Sequence, residues 1–287
     1  MGGCFMADRS QTLRTFFARF VATRGGAHDP RIELAFAAVP RENFAGPGPW
    51  SVAVPGVGYV RTPDDDPAFL YQDTLIALDA AKGINIGEPS LHARCLDALA
   101  LRAGERVLHI GAGAGYYTAI IAHLVGAAGH VDAYEIEPTL AERARRNLAN
   151  YPGIEVHERS GIADDLPKAN AIYVNAGSTH PSWAWLDALL TGGRLIFPLQ
   201  PVGGYGGMLC VERPAEGIAW PARFVSRAGF ISLEGRQDAA LSRGLAAAFE
   251  GHGWKGVRSL RLDEPADTTC WFAGDDWWLS TEEPAEE

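Results

Sequence analysis

A glycine-rich turn between a strand and a helix is the clearest candidate ligand site in the sequence. Gly111, Gly113 and Gly115 follow the apolar run Val107–Ile110 and precede the helical apolar spacing of Tyr116–Val125. Glycine lets the backbone turn sharply and approach a ligand closely, and a helix N-terminus presents N–H groups that have no partner within the helix. A ligand site at this first turn is expected in parallel α/β sheets. A tight turn without a ligand also needs glycine, so the triplet alone leaves both interpretations open.

An acidic residue at the end of the next predicted strand favours the ligand interpretation. Glu135 lies 24 positions after Gly111 (135 − 111), at the spacing where a carboxylate accepts hydrogen bonds from the two hydroxyls of a ribose. Tyr116 stands where a dinucleotide-binding sequence has Gly or Ala beside the pyrophosphate. The pattern therefore favours a ligand without a pyrophosphate.

Strands and helices alternate through the middle of the chain, and this order positions the glycine turn. The apolar patterns predict strands at Val107–Ile110, Val131–Ile136, Ile154–Glu158, Ala171–Asn175 and Arg194–Pro198. They predict helices at Tyr116–Val125, Leu140–Asn150 and Trp183–Leu190. Such alternation indicates βαβ units, so we expect a doubly wound, Rossmann-like α/β sheet that is mostly parallel. A turn is expected at Gly192-Gly193, and antiparallel closing strands are expected at Met208–Glu212 and Phe230–Leu233.

The N-terminal segment, residues 1–70, precedes this alternating core at 71–235. The apolar spacing of residues 13–21 is helical, and a second helix is expected at Ile32–Ala38. Prolines and acidic residues crowd the stretch Arg41–Asp66. This stretch is therefore predicted to be irregular chain that covers the core.

The C-terminal extension, residues 236–287, follows the core. A helix is expected at Asp238–Glu250 with Asp238 as its N-cap, and a hairpin is expected to turn at Gly274-Asp275. Glu282–Glu287 is predicted to be a disordered acidic tail. Four tryptophans lie in the extension, namely Trp254, Trp271, Trp277 and Trp278. They are expected to pack the hairpin onto the sheet or, alternatively, to form an aromatic platform for a ligand.

Several segments, in order along the chain, resemble known protein families. The stretch Val107–Ala119 together with Glu135–Pro138 resembles the S-adenosylmethionine-binding core of class I methyltransferases. Four further motifs resemble the protein-L-isoaspartate O-methyltransferase family, namely Val39–Phe44, Tyr71–Asp73, Gly83–Pro89 and Gly192–Pro198. The resemblance runs from about Val39 to about Gly235. It implies a methyltransferase fold, S-adenosylmethionine as the cofactor and a carboxylate on a peptide or protein as the methyl acceptor.

The resemblance also implies which residues bind the cofactor. They lie on the glycine turn and just after the neighbouring strands, namely Gly111, Ala112, Gly113, Gly115, Tyr116, Glu135, Ile136, Ser160, Gly161 and Asn175.

Three positions depart from the family pattern and bear on the substrate. The active-site loop of the family has a serine where this chain has Gly87, and the acidic residues before the glycine turn and after the third strand are replaced by His109 and Ser160. Asn85 and the Gly87 N–H are therefore predicted to bind the substrate carboxylate, with Tyr71 and the covering segment as a wall. Alternatively, Asn85 only caps a turn. His109 is expected to pack in the core and form a hydrogen bond.

Two acceptor chemistries follow from these residues. An ionised carboxylate can take the methyl group of a sulfonium by in-line displacement of the thioether and needs no general base, so alignment and exclusion of water would carry catalysis. A hydroxyl acceptor would need a base. His180, which follows the fourth strand at the carboxyl end of the sheet, is the candidate for that catalytic role.

The leading hypothesis is an S-adenosylmethionine-dependent O-methyltransferase of the isoaspartyl type, in class EC 2.1.1. Gly87 favours a specialised peptide-tailoring relative over general protein repair. The alternatives are a small-molecule O-methyltransferase that uses His180 and a non-catalytic binding module with a methyltransferase fold. The retained glycines and Glu135 argue against the binding module.

Composition and charge argue against several other classes. The chain of 287 residues has 25 Lys and Arg against 35 Asp and Glu, a net charge of −10 that repels phosphate backbones and argues against a nucleic-acid partner. Its four cysteines are scattered and have no histidines at zinc-ligand spacing, so neither disulfides nor a metal site is expected. No stretch approaches the roughly 20 apolar residues of a membrane span, and residues 1–10 lack a signal-peptide pattern. A cytoplasmic protein without a membrane partner is predicted; the sequence leaves its oligomeric state open.

Overall fold

A computed structural model describes residues 2–235, 237–262 and 265–284 of the chain. The helices in these residues are α1 (Gly2–Gly25), α2 (Pro30–Ala38), α3 (Glu42–Ala45), α4 (Pro89–Leu99), α5 (Tyr116–Val125), α6 (Pro138–Leu148), α7 (Trp183–Ala188) and α8 (Ala239–Glu250). Among the helices of this described part, none combines the length and the apolar character needed to cross a membrane.

The strands run from the N-terminal segment to the C-terminal extension. They are β1 (Ser51–Val54), β2 (Gly58–Arg61), β3 (Ala77–Asp79), β4 (Ile84–Asn85), β5 (Arg106–Ile110), β6 (His130–Glu135), β7 (Ile154–Glu158), β8 (Ala169–Val174), β9 (Leu189–Leu199), β10 (Gly206–Glu212), β11 (Ala219–Ala228), β12 (Ser259–Arg261), β13 (Cys270–Ala273) and β14 (Trp278–Ser280).

The chain forms two compact units. The first comprises Met1–Glu105 and Ala112–Arg159, and the second comprises Arg106–Gly111 and Ser160–Glu287. These units do not follow the predicted boundaries after residues 70 and 235, so the three-part division stays a prediction.

Apolar packing between α1 and α2 builds the N-terminal part of the first unit. Phe17 of α1 and Phe36 of α2 are buried, and their rings meet edge-on with centroids 6.2 Å apart. Asp29 caps α2 by accepting a backbone N–H of the first turn, and Pro30 occupies the first helical position, where an N–H has no partner within the helix. The two predicted helices are confirmed, and α1 begins earlier than expected, at Gly2.

The covering segment Arg41–Asp66 contains regular structure, so its prediction as irregular chain was wrong. It holds the short helix α3 and an antiparallel hairpin of β1 and β2. The prolines lie in the connections outside these elements, at Pro47, Pro49, Pro55 and Pro63. They therefore leave the hydrogen bonds of the hairpin intact.

The first unit also contains the parallel pair β6 and β7 and the small antiparallel pair β3 and β4. Asp132 lies opposite Glu155, and Glu135 lies opposite Glu158. Helix α6 connects β6 to β7, as expected for a parallel crossover.

The second unit has its strands in the order β13-β14-β12-β11-β10-β9-β8-β5. β5, β8 and β9 are parallel, and the later neighbours are antiparallel. Together with the parallel pair of the first unit, this order confirms an α/β fold with parallel strands followed by antiparallel closing strands.

Two predicted features near the closing strands were wrong. Gly192-Gly193 lies within β9 and is not a turn before it, because the Gly192 N–H and Gly193 carbonyl pair with the backbone of Arg213 at 2.8 and 2.9 Å. Phe230–Leu233 is not a strand; it forms only an isolated bridge between Ser232 and Gly177. β11 takes the predicted place beside β10.

The C-terminal extension contains its predicted helix and hairpin. Asp238 caps α8 by accepting the N–H groups of Ala240 and Leu241, both at 2.8 Å. β13 and β14 form the antiparallel hairpin. Trp277 and Trp278 are buried, and the rings of the remaining two tryptophans each contact Phe224, which agrees with the packing interpretation.

The predicted acidic tail falls only partly on described residues. The Glu282 carbonyl accepts a hydrogen bond from Ser259 Oγ at 2.7 Å, so the start of the tail is bound to β12. Residues 285–287, the rest of the predicted tail, lie outside the described residues, as does residue 236 at the predicted domain boundary.

Candidate active site

In the first unit, Glu135 binds the glycine turn from the end of β6. Its Oε2 accepts the Gly113 N–H at 2.7 Å, and its Oε1 accepts the Glu137 N–H at 3.0 Å. Burial raises the pKa of the Glu135 carboxyl, and the backbone N–H groups partly oppose this rise. Because a carboxylate has about four acceptor positions, Glu135 retains capacity for the hydroxyl groups of a ligand.

Gly115 ends the glycine turn and lies at the N-terminal end of α5. Its φ is +91°, a conformation that L side chains rarely adopt, and a Cβ there would lie 2.7 Å from Leu148 Cδ1. Glycine is therefore required both by the backbone and by the packing of α6. The turn leads directly into the first N–H groups of α5, which have no partners within the helix.

The Tyr116 side chain packs within the core of the first unit. Its ring meets Phe44 and Phe36 edge-on, with centroids 5.5 and 6.3 Å away, and the Arg41 guanidinium carbon lies 5.8 Å from its centroid. The predicted cofactor role of Tyr116 is therefore restricted to its backbone at the start of α5.

An apolar side chain follows Glu135 at the surface. Ile136 is 48% exposed, and the next residue, Glu137, is bound by Lys82 Nζ at 2.8 Å from both carboxylate oxygens. Exposed apolar area beside an acceptor for hydroxyl groups suits a ligand with both a ribose and a flat ring. The role of Ile136 in binding stays a prediction.

Asn85 caps a turn in the Gly83–Pro89 loop. Its Oδ1 accepts the Gly87 N–H at 2.8 Å, and its Nδ2 donates to the Gly83 carbonyl at 3.0 Å. Both donors that the sequence assigned to a substrate carboxylate are therefore engaged within the turn. This geometry agrees with the alternative interpretation, in which Asn85 orders the loop.

Gly87 has no room for a side chain. A Cβ on this residue would collide with Nε2 of His92, and φ is +85°. The His92 ring is buried and stacks on Tyr117, with centroids 3.6 Å apart and planes 10° from parallel. The Gly87 carbonyl accepts from the Tyr117 hydroxyl at 3.4 Å. Sequence reasoning missed His92, whose packing becomes visible only with the fold.

Arg41 joins this loop to the preceding segment from a fully buried position. Its guanidinium donates to the carbonyls of Leu70, Gln72 and Thr74 at 2.7, 2.9 and 3.0 Å, and to that of Gly87 at 3.4 Å. Four main-chain acceptors around one cation fix the course of both segments.

The Tyr71–Asp73 motif supports the structure around the loop. The Tyr71 hydroxyl donates to the Glu42 carboxylate, and burial raises its pKa. Asp73 Oδ1 accepts the Ser90 N–H at 2.8 Å and so caps α4, while its Oδ2 lies 2.6 Å from Arg24 Nε. Tyr71 is tied into the packing of the first unit, and its contact with a substrate stays a prediction.

The covering segment reaches the same loop region. The Ala53 N–H of β1 donates to the Leu75 carbonyl at 2.9 Å, and Thr74 Oγ1 donates to the Ala53 carbonyl at 2.8 Å. Tyr59 of β2 is hydrogen-bonded to Asn85, which limits the rise in the Tyr59 pKa caused by burial. The hairpin thus lies beside the turn that holds Gly87.

In the second unit, His109 and Asn175 lie at the ends of two parallel strands. Asn175 Nδ2 donates to His109 Nε2 at 2.8 Å, and burial lowers the pKa of His109 to about 3. His109 is therefore a neutral, hydrogen-bonded core residue, as predicted. Asn175 Oδ1 is buried without a partner among the described residues, so it can accept from a ligand.

The other predicted residues of the second unit occupy loops after strands. Ser160 Oγ accepts the Ile162 N–H at 3.4 Å, and the Gly161 carbonyl accepts the Trp185 Nε1–H at 2.8 Å. Their cofactor roles stay predictions.

His180 is held by its neighbours in the turn after β8. Its Nδ1 lies 3.0 Å from Thr179 Oγ1, and its carbonyl accepts from Ser178 Oγ at 2.6 Å. These bonds fix the residue locally and do not favour a particular reaction, so its role as a base stays a prediction.

The parallel strands, the helices between them and the antiparallel closing strands define a Rossmann-like α/β protein. The family model described as protein-L-isoaspartate(D-aspartate) O-methyltransferase (PCMT) matches residues 19–236, and the chain belongs to this family. Membership confirms the methyltransferase class and S-adenosylmethionine dependence expected from the sequence.

Individual relatives agree with this assignment. The chain is 34% identical over 210 residues to protein-L-isoaspartate O-methyltransferase 2 of Anaeromyxobacter sp. (strain Fw109-5), covering 70% of this chain and 76% of the relative. It is 34% identical over 200 residues to protein-L-isoaspartate O-methyltransferase of Rhodopseudomonas palustris (strain BisB5), covering 66% and 79%.

Solved structures share the fold. A protein-L-isoaspartate O-methyltransferase superposes with a TM-score of 0.63 at 22% identity, covering 83% of this chain and 69% of that one. A Plasmodium falciparum protein described as a beta-aspartate methyltransferase (PCMT), in complex with S-adenosyl-L-homocysteine, gives 0.59 at 18% identity, covering 77% and 98%. At these identities the likeness concerns the fold alone.

Proposed function

We propose that the protein transfers the methyl group of S-adenosylmethionine to the carboxylate of an isoaspartyl residue in a peptide or protein, a reaction of class EC 2.1.1. The observation that carries the proposal is the buried Glu135 bound to the Gly113 N–H, in a chain whose family match spans residues 19–236.

Glu135 is the proposed anchor for the cofactor ribose. Two backbone N–H groups fix the orientation of its carboxylate, so the remaining acceptor positions are oriented before the ligand arrives. The exposed Ile136 is proposed as a further contact, to the adenine ring.

The cofactor, when bound, supplies a methyl group on a positively charged sulfur. An ionised carboxylate at neutral pH is already a nucleophile and has no proton to lose, so the protein needs to align it and exclude water. We assign alignment to the loop that Asn85 and Arg41 hold in place, and exclusion of water to the hairpin of β1 and β2. In this proposal Asn85 and Gly87 shape the acceptor site, while their N–H groups form the hydrogen bonds of the turn.

Methylation of matched peptides tests the proposal. The purified full chain is incubated with S-adenosylmethionine and a peptide containing isoaspartate, or its aspartyl twin, and the products are examined by mass spectrometry. One added methyl group on the isoaspartyl peptide alone supports the proposal. No transfer to that peptide, with cofactor binding verified by calorimetry, overturns the assigned acceptor.

Two variants tie the activity to the site. Glu135→Ala should abolish cofactor binding and transfer together, whereas Glu142→Ala, an exposed substitution on α6, should leave both unchanged. Unchanged cofactor affinity in Glu135→Ala would overturn the proposed ribose anchor.

A further inference from the structure

Two histidines and two carboxylates share one face of β6 and β7, and His130, Asp132 and Glu155 lie towards the end remote from Glu135. Asp132 and Glu155 are paired across the strands. His130 lies two positions before Asp132, and His157 lies two positions after Glu155, so all four side chains point to the same face. Ligand atoms of His130, Asp132 and Glu155 lie within 4.8 Å of one another.

The two histidines lie at different distances from the Asp132 carboxylate. Nε2 of His157 is 3.1 Å from Asp132 Oδ1, a hydrogen-bond distance. Nε2 of His130 is 3.5 Å from the same oxygen, longer than the usual N–H···O range of about 2.7–3.2 Å. Two ligands of a tetrahedral zinc ion with bonds of about 2.0–2.1 Å are roughly 3.3 Å apart. The spacing of His130 and Asp132 is therefore close to that of two ligands on one metal ion.

The cluster is ordered before any ion arrives. Asp132 is only 1% exposed, and an ionised carboxylate at such a position requires positive charge or hydrogen bonds. His157 supplies one hydrogen bond and is itself fixed by stacking on Tyr134, with ring centroids 4.7 Å apart. In metal sites, residues that hydrogen-bond a ligating carboxylate without touching the ion orient that carboxylate in this way.

We propose that His130, Asp132 and Glu155 bind a divalent first-row transition-metal ion such as Zn²⁺, with His157 as the residue that positions Asp132. One imidazole nitrogen with two carboxylate oxygens suits such an ion, whereas Mg²⁺ and Ca²⁺ prefer oxygen ligands alone. The His130 and Glu155 side chains are 38% and 63% exposed, so the ion has access from solvent and water completes its coordination. The two carboxylates balance the charge of the ion.

The proposed metal site is independent of the proposed methyl transfer. Asp132, the proposed ligand nearest to Glu135 along β6, lies three positions before it, about 10 Å along the strand at roughly 3.3 Å per residue, and the two side chains point to opposite faces. Loss of the metal and loss of the cofactor can therefore be measured separately on the same protein.

Calorimetric titration of the metal-free full chain with ZnCl₂ is the primary test. We expect one ion per chain, and we expect His130→Ala and Glu155→Gln each to weaken binding by at least about tenfold. Both residues are partly exposed, so these variants should fold, which circular dichroism checks. His123→Ala and Glu142→Gln remove an exposed histidine and an exposed carboxylate elsewhere and should bind Zn²⁺ like the unaltered protein.

His157→Gln separates positioning from mere support of the fold. It should weaken Zn²⁺ binding about 10–100-fold, so a given concentration of Zn²⁺ should raise its melting temperature above that of its own metal-free form by less than in the unaltered protein. Visible absorption of the Co²⁺-loaded protein reports the coordination and should be lost in His130→Ala. The proposal is overturned if the unaltered protein fails to bind Zn²⁺. It is also overturned if His130→Ala and Glu155→Gln bind Zn²⁺ as tightly as the unaltered protein does.

Discussion

Gly87 and His92 are packed so closely that the loop excludes any side chain at position 87. A Cβ on Gly87 would collide with His92 Nε2, and the φ of +85° is one that favours glycine. His92 is held in turn by stacking on Tyr117. The serine of the family pattern therefore cannot be restored in this loop without moving both the backbone and the histidine.

Gly87→Ser should destabilise the protein rather than repair its active site. We expect the free energy of unfolding to fall by about 2–5 kcal/mol, from roughly 1–2 kcal/mol of backbone strain and about 1–3 kcal/mol of overpacking. Urea unfolding measures the loss.

Gly83→Ser is the matched control for this substitution. Gly83 has a similar φ of +70°, but a Cβ there would have nothing within 4 Å, so only the backbone cost should appear. A double-mutant cycle of Gly87→Ser with His92→Ala should show favourable coupling, because the smaller residue removes the collision. Equal losses in Gly83→Ser and Gly87→Ser would contradict the proposed packing conflict.

Arg41→Met should cost about 3 kcal/mol or more of unfolding free energy. The substitution leaves several buried carbonyls without their donor, each at a cost of about 1–3 kcal/mol, although such costs are not additive. Arg61→Met removes an exposed arginine on β2 and should stay within about 0.5 kcal/mol of the unaltered protein. Thermal and urea unfolding compare the two; similar stability would show that the carbonyls find other donors.

The parts of the site that were predictable are those encoded locally. The predicted helix Tyr116–Val125 matches α5, because a glycine turn and a helical apolar period adjoin in the sequence. Asp238 was recognisable as an N-cap because its partners are two and three residues away. Such signals need no knowledge of the remaining chain.

The parts that were missed depend on contacts between distant residues. Asp73 caps α4 from 17 positions before Ser90, and Arg41 reaches carbonyls 29 to 46 positions later. No local pattern distinguishes such an arginine from a solvated one. Likewise, Asn85 could donate to a substrate or cap a turn, and only the position of the Gly87 N–H favours the turn.

Cofactor affinity should depend on acidity through Glu135. Burial raises the pKa of this carboxyl, so it takes up a proton at higher pH than an ordinary glutamate, whose pKa is about 4.3. Protonation removes an acceptor for the ribose hydroxyls, so affinity should fall as the pH is lowered through the raised pKa. Calorimetry with S-adenosylmethionine over a pH series measures this dependence.

Glu135→Gln should bind the cofactor about 10–100-fold more weakly and without this pH dependence, since a charge-assisted hydrogen bond contributes about 1.5–3 kcal/mol. Glu158→Gln, at the paired position on β7, is the control and should behave like the unaltered protein. An identical acid response in Glu135→Gln would assign the effect to another group.

Stability should fall in acid because of His109. The pKa of this histidine is lowered to about 3 in the folded protein by burial, while an unfolded histidine has a pKa of about 6.5. Between these values the unfolded chain binds a proton that the folded chain does not, so stability is full above about pH 6.5 and falls as the pH decreases towards 3. At pH 5 the loss from this residue should be about 2 kcal/mol relative to pH 7.

Urea unfolding at the two pH values should show this loss in the unaltered protein and in His28→Gln, whose histidine side chain is 93% exposed. His109→Gln should show a correspondingly smaller pH dependence, and an equal dependence would mean that His109 is not the residue responsible.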